Sequence, residues 1–222
     1  MTVIEPTRHN PQHPQLIKKN PATLRLWHWL NAVVITGSLL TVLINSTLLK
    51  VRPNAAFIRD QLKETGATVT NQQARSVAHE LSDKIWALHT YFGYVLVGLV
   101  VFRLLLEVFR VADQRFIRML KSAYSKYKTV KQARETARHD FWVKTIYAVF
   151  YLMIITMAVT GLCLAFEDDV PALKAIRAFR QIHSFTMYLI LGFIAVHLAG
   201  VFLAERKNSP GIVSDMINGG KE

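Results

Sequence analysis

The chain has 222 residues and a formal charge of +12, and it is 51% hydrophobic but only 19% charged. This composition excludes a disordered basic tail, which would carry few apolar residues, and disfavours a soluble nucleic-acid-binding domain, which rarely contains apolar runs above about twenty residues. The single cysteine, Cys163, excludes an intrachain disulfide, a cysteine zinc site and a cysteine-held iron–sulfur cluster.

Four apolar blocks dominate the chain, and each is 22–26 residues long. At about 1.5 Å per residue, such a block makes a helix of about 33–39 Å, which is enough to cross a hydrocarbon core of about 30 Å. The blocks are apolar on all faces, whereas the helices of a soluble bundle, the alternative, have narrower apolar stripes. We therefore predict an all-α fold, a four-helix transmembrane bundle over residues 23–205. The predicted spans are residues 24–49, 85–106, 141–166 and 182–204.

Lysine and arginine residues predict how these spans are oriented. If both termini are cytoplasmic, 18 of the 27 basic residues lie on the inner side, as the positive-inside rule favours. Residues 1–22, which contain four of the seven prolines, are predicted to be a flexible cytoplasmic tail, and residues 206–222 a second cytoplasmic tail. Residues 108–140 alone carry a charge of +6, which we attribute to anionic lipid rather than nucleic acid. The charge distribution thus predicts a multi-pass membrane protein with both termini cytoplasmic.

The connection between the first two spans, residues 50–84, contains a helix start. Thr70 and Gln73 have the spacing of a capping box, in which each side chain bonds the backbone of the other. Apolar residues follow at helical spacing, including Val77 and Leu81. A helix is therefore predicted to begin near residue 71, outside the membrane, and to continue into the second span.

Four of the eight histidines lie inside predicted spans, where ionisable residues are rare and usually functional. The alternative for any one of them is a hydrogen bond to a neighbouring helix. The predicted orientation places His28 and His197 at the inner depth and His89 and His183 at the outer depth. His183 and His197 are fourteen residues apart, which is about 21 Å along a helix and within about 40° of one face. The histidines thus form an inner and an outer pair.

Two facing histidines at each of two depths are typical of bis-histidine haem. A zinc site needs about four ligands, and no cysteine or carboxylate joins either pair within the spans. A proton relay needs steps shorter than about 21 Å. A haem fits between two helices of an apolar bundle. Because no C-x-x-C-H motif is present, the predicted cofactors are two b-type haems. The predicted iron ligands are His28, His89, His183 and His197.

Two arginines are candidate partners at the inner depth. Arg103 lies fourteen residues after His89, where it could neutralise a haem propionate or contact a quinone oxygen. The alternative is a surface arginine that pairs with Glu107. Arg25, about one turn before His28, has the same two interpretations.

Two further candidates lie at the outer depth. Arg180 precedes His183 by three residues and could neutralise an outer propionate. Gly93 follows His89 by one turn, where the missing side chain would let a ring approach, although glycines in spans also serve close helix packing. The third span has no histidine, and its polar residues are interpreted as ordinary interior groups. They include Tyr151, Thr156 and Thr160.

The sequence Leu-Arg-Leu-Trp-His-Trp at residues 24–29 resembles the start of bacterial cytochrome b561 and of the b-type cytochrome subunit of nickel–iron hydrogenases. The His-x13-His pattern of the fourth span, the histidine and Arg103 of the second span, and residues 211–219 are similar too. The resemblance covers residues 22–220. It implies a four-helix cytochrome with two b haems that passes electrons between the quinone pool and a redox partner, commonly a periplasmic hydrogenase or other dehydrogenase.

Three functions are compatible with these features. The first is an electron-transfer subunit, rather than an enzyme on its own, between an outer redox partner and quinone. The second is a stand-alone quinone reductase with a diffusible donor. The third is a haem-free scaffold or transporter, for which broken spans and repeat symmetry would be expected. The spans contain no interior proline, which disfavours the third.

Overall fold

The computed structural model describes residues 22–108, 134–207 and 211–219, and this part of the chain contains helices and no strands. The prediction of an all-α fold is therefore confirmed. Most of the predicted N-terminal tail and residues 109–133 of the basic connection lie outside the described residues. The helices are α1 (Ala22–Thr47), α2 (Val51–Glu64), α3 (Asn71–Val108), α4 (Arg134–Ala165), α5 (Pro171–Lys174), α6 (Ala178–Lys207) and α7 (Ile212–Asn218).

Four of the helices within the described ranges are long and apolar enough to cross a membrane, with mean hydropathies of 1.5–2.2. These are α1, α3, α4 and α6, which overlap the four predicted spans, so the prediction of four membrane-length apolar helices is confirmed. Large apolar side chains stay exposed along them, for example Val33 (65%), Leu152 (65%) and Val196 (69%). Such exposure is costly in water, but it is the usual condition of a helix surrounded by lipid.

The predicted start of α3 is also confirmed. The backbone N–H of Gln73 donates to Thr70 Oγ1 at 3.2 Å, and the backbone N–H of Thr70 donates to Gln73 Oε1 at 2.9 Å. This reciprocal pair is the capping box. From Asn71 the helix continues without interruption to Val108, so a segment of about four turns precedes the predicted second span.

Residues 30–97 form one compact unit. Its helix α2 was not predicted from the sequence. Ala55 of α2 and Ala74 and Ala78 of α3 are buried together, and three larger apolar side chains pack against them. Small residues at this contact let the two helix backbones approach closely. The larger side chains are Val51, Ile58 and Val69.

The second unit consists of residues 22–29 together with the described residues from 98 onward. Its main contact is between α4 and α6, and α7 packs against α6. The Glu205 carboxylate near the end of α6 accepts hydrogen bonds from the backbone N–H groups of Gly211 at 2.8 Å and Val213 at 3.2 Å. These N–H groups have no partner inside a helix that begins here, so Glu205 caps α7.

Candidate functional site

The inner histidines come from α1 and α6, and both belong to the same unit. The ring centroids of His28 and His197 are 6.3 Å apart, and the ring planes are inclined by 56°. Two imidazoles that bind one metal ion from opposite sides, with metal–nitrogen bonds of about 2 Å, have centroids roughly 6 Å apart. The observed spacing therefore suits a shared iron ion.

Aromatic rings surround this inner pair. Phe193 stacks on His197, with centroids 5.9 Å apart and an interplanar angle of 5°, and Phe150 stacks on Phe193 at 4.4 Å. Trp29 meets the His28 ring edge-on at 5.2 Å. His28 Nδ1 is buried and has no hydrogen-bond partner among the described residues. The surroundings are thus largely apolar and aromatic, as an apolar macrocycle requires.

The outer histidine of α6 is held by α4. Thr160 Oγ1 lies 3.0 Å from His183 Nδ1. A Cβ atom added to Gly161 would lie 3.3 Å from Cε1 of His183, so this glycine lets the imidazole lie close to α4. The position and orientation of the His183 ring are therefore set by two consecutive residues of α4.

The outer histidine of α3 has a similar environment in the other unit. His89 Nδ1 lies 2.9 Å from Thr41 Oγ1 and 3.3 Å from the Ser38 carbonyl oxygen, both in α1. The Trp86 ring meets the imidazole edge-on at 5.5 Å. Because His89 and His183 belong to separate units, their predicted pairing stays a prediction.

Arg103 contacts two aromatic residues. Its Nε donates to Tyr151 Oη at 3.2 Å, and its guanidinium carbon lies 5.9 Å from the centroid of the Trp27 ring. Trp27 in turn stacks on Tyr151 at 5.4 Å. The Arg–Tyr–Trp cluster lines a cleft with Ile154. The Glu107 side chain of the alternative interpretation lies outside the described residues.

Arg25 and Arg180 have partners that sequence reasoning did not identify. Arg25 Nη1 donates to the carbonyl oxygen of Ile217 in α7, while its Nε is buried without a partner among the described residues. Arg180 Nη2 donates to Glu167 Oε1 at 2.9 Å, and the Arg180 side chain is 73% exposed. Both arginines thus hold parts of the chain itself.

Gly93 has open space beside it, since a Cβ atom added there would meet nothing within 4 Å. This agrees with room for a ring and not with close helix packing. The threonines beside the outer histidines, Thr41 and Thr160, are the functional candidates that sequence reasoning missed. Their only signal was a hydroxyl in an apolar span, which is common in membrane helices.

One family model matches a range that contains all of the described residues. Residues 20–219 match the family model described as prokaryotic cytochrome b561. The matched range contains helices α1 to α7 and all four histidines discussed above. No curated protein and no solved structure matches the chain.

Proposed function

The chain belongs to the prokaryotic cytochrome b561 family, and from this premise we propose that it carries electrons across the bacterial inner membrane between a periplasmic-side redox partner and the quinone pool. Membership and four membrane-length helices make it a multi-pass membrane b-type cytochrome. When bound, b-type haem supplies a one-electron carrier.

Two haems with bis-histidine ligation are part of this proposal. His28 and His197 hold the inner haem, and His89 and His183 hold the outer haem. The observation that carries the proposal is the 6.3 Å separation of the His28 and His197 rings within an aromatic surrounding. His28 of α1 and His197 of α6 are far apart in sequence, and together they would hold the iron of the inner haem.

The inner arginines serve anionic or carbonyl oxygens. Arg103 uses its Nε on Tyr151, and the guanidinium fork has four further N–H donors for a haem propionate or a quinone oxygen. The adjoining cleft is small and lined mainly by apolar side chains. Arg25, with its buried Nε, is the second candidate for a propionate. At the outer depth Arg180 donates to Glu167 through Nη2, and its further N–H donors would serve a haem propionate. The space beside Gly93 would receive the macrocycle.

A redox partner docks on the connection between the first two spans, residues 50–84. Helix α2 supports this, because it exposes Phe57 (64%) while its opposite face packs on α3 through Ala55. A hydrogenase or another dehydrogenase is the partner class that the family resemblance favours. The proposed role is thus that of an electron-transfer subunit.

The test of haem ligation is the haem content of single-histidine variants. Purified wild-type protein is expected to show b-type absorption bands and two haems per chain, and His197→Ala is expected to keep one, because only the inner iron loses a ligand. His79→Ala is the matched control, since His79 lies on the surface of α3 and pairs with Asp83 at 2.7 Å. A His197→Ala protein with two haems would contradict the inner assignment, and the absence of b-type bands from the wild type would contradict haem binding itself.

A further inference from the structure

The two outer histidines share one hydrogen-bond arrangement, although they belong to different units of the chain. In each case a threonine on the adjacent helix faces Nδ1. Thr41 Oγ1 lies 2.9 Å from His89 Nδ1, and Thr160 Oγ1 lies 3.0 Å from His183 Nδ1. The same arrangement at two independent places indicates that the threonine has the same role at both histidines.

The direction of these hydrogen bonds follows from the second contact of each threonine. The Thr41 hydroxyl donates to the Ser38 carbonyl at 2.6 Å, and the Thr160 hydroxyl donates to the Thr156 carbonyl at 2.6 Å. A hydroxyl has one hydrogen to donate and two lone pairs. Because both hydrogens are directed to backbone carbonyls, each Oγ1 accepts a hydrogen bond from the imidazole. Nδ1 therefore carries the hydrogen in both histidines.

A third contact supports the same direction for His89. Its Nδ1 also lies 3.3 Å from the Ser38 carbonyl oxygen, and a carbonyl oxygen can only accept. In a neutral imidazole with hydrogen on Nδ1, the lone pair is on Nε2. Both outer histidines are thus held in the tautomer that binds a metal ion through Nε2.

We propose that Thr41 and Thr160 are positioning residues, which fix the Nδ1–H tautomer and the ring orientation of His89 and His183 for the iron of the outer haem. This inference rests on the proposed ligation. A metal-binding histidine commonly donates its other N–H to an acceptor, which orients the ring and makes it a stronger electron donor to the metal. A stronger donor stabilises the ferric over the ferrous iron and lowers the reduction potential.

The hydroxyl bonds also suit the membrane setting. In a low-dielectric interior a hydrogen bond is electrostatically stronger than in water, and an unpaired Nδ1–H would carry the cost of an unsatisfied donor. Each threonine hydroxyl donates to a carbonyl of its own helix and accepts from the imidazole of a neighbouring helix. Each threonine thus orients a histidine that belongs to a different helix.

The test replaces each acceptor by an isosteric apolar group. Thr41→Val and Thr160→Val are expected to raise the potential of the outer haem and to weaken its retention about 10- to 100-fold, measured by optical redox titration and by transfer of haem to a scavenging apoprotein. Each substitution is titrated in the otherwise wild-type full-length chain and again in a His197→Ala background, which is expected to retain the outer haem alone. Thr41→Ser and Thr160→Ser, which keep the hydroxyl, are expected to restore wild-type values.

The control variants remove comparable hydroxyls from the same helices. Thr156 donates to the Leu152 carbonyl at 2.8 Å and Thr47 to the Leu43 carbonyl at 2.6 Å. Thr156→Val and Thr47→Val are expected to leave the potential and the haem retention unchanged. Equal shifts in the controls would overturn the inference, because they would reflect helix polarity alone.

Two further results separate this inference from the proposed function. If His89→Ala loses one haem but both valine variants behave as wild type, the ligation stands and the role of the threonines is overturned. If His89→Ala and His183→Ala both retain two haems, the outer ligation is wrong, and the inference falls with it.

Discussion

A single missing side chain sets the approach of α1 to α3 within residues 30–97. A Cβ atom added to Gly37 would lie 2.5 Å from Phe92 Cζ and 2.7 Å from Cε1. Real Cβ atoms do not come this close to another carbon, so the ring occupies the space that the glycine leaves. The same interface carries Thr41 and His89 one turn further along α1, and its spacing therefore governs the geometry of that hydrogen bond.

Gly37→Ala is expected to destabilise the protein by about 1–3 kcal/mol, because an added methyl group in a close-packed contact forces the ring and the helices to shift. The thermal unfolding of the detergent-solubilised protein, followed by circular dichroism, measures this effect. Gly98→Ala in α3 is the control, since a Cβ atom there meets nothing within 4 Å. Equal melting temperatures for both variants would contradict the packing role of Gly37.

At the scale of elements, α7 depends on contacts with other helices. A helix of seven residues is too short to be stable alone in water. Glu205 of α6 caps its N-terminus, while Arg25 donates to the Ile217 carbonyl and Trp29 Nε1 donates to the Met216 carbonyl at 3.1 Å. The start of α1 and the end of α6, which also carry His28 and His197, are thus joined through α7.

Glu205→Ala is expected to loosen α7, because two backbone N–H groups lose their acceptor. Hydrogen–deuterium exchange of peptides covering residues 211–219 should become faster, while exchange in α2 stays unchanged. Glu205→Gln, which keeps one acceptor oxygen, should have a smaller effect. Unaltered exchange in Glu205→Ala would show that the contacts of Arg25 and Trp29 are sufficient.

For the whole molecule, the distribution of charge predicts the orientation in the membrane. Cytoplasmic termini follow from the excess of lysine and arginine in the connection between the second and third spans. The single cysteine, Cys163, makes this prediction easy to test, because one substitution yields a cysteine-free background. The exposed residues Gln72 and Ser214 then offer one labelling position on each predicted side.

In the Cys163→Ser background, Gln72→Cys is expected to react with a membrane-impermeant maleimide in intact spheroplasts. Ser214→Cys should react only after the membrane is opened, since α7 lies on the predicted cytoplasmic side. Labelling with the opposite pattern would invert the proposed orientation. Equal labelling of both positions in sealed spheroplasts would contradict the predicted four-span topology.

Much of the fold could be predicted because its signals are local. Length and uniform apolarity identify a helix that crosses a membrane, and the capping box at Thr70 and Gln73 identifies the start of α3. Helix α2 was missed although Val51, Ala55 and Ile58 have helical spacing. Its apolar stripe is short and interrupted by charged residues, and its stability comes from packing against α3.

The sequence by itself determined the membrane class and the four long apolar helices, and it predicts the depths of the histidines, because hydrophobicity and helical rise are properties of single segments. Only the tertiary structure decided the 6.3 Å spacing of the His28 and His197 rings and the partners of the arginines. It also decided that the Thr41 and Thr160 hydroxyls lie within hydrogen-bond distance of Nδ1 of His89 and His183. These contacts join residues from different helices, and their distances depend on helix rotation and close packing, which no single segment specifies.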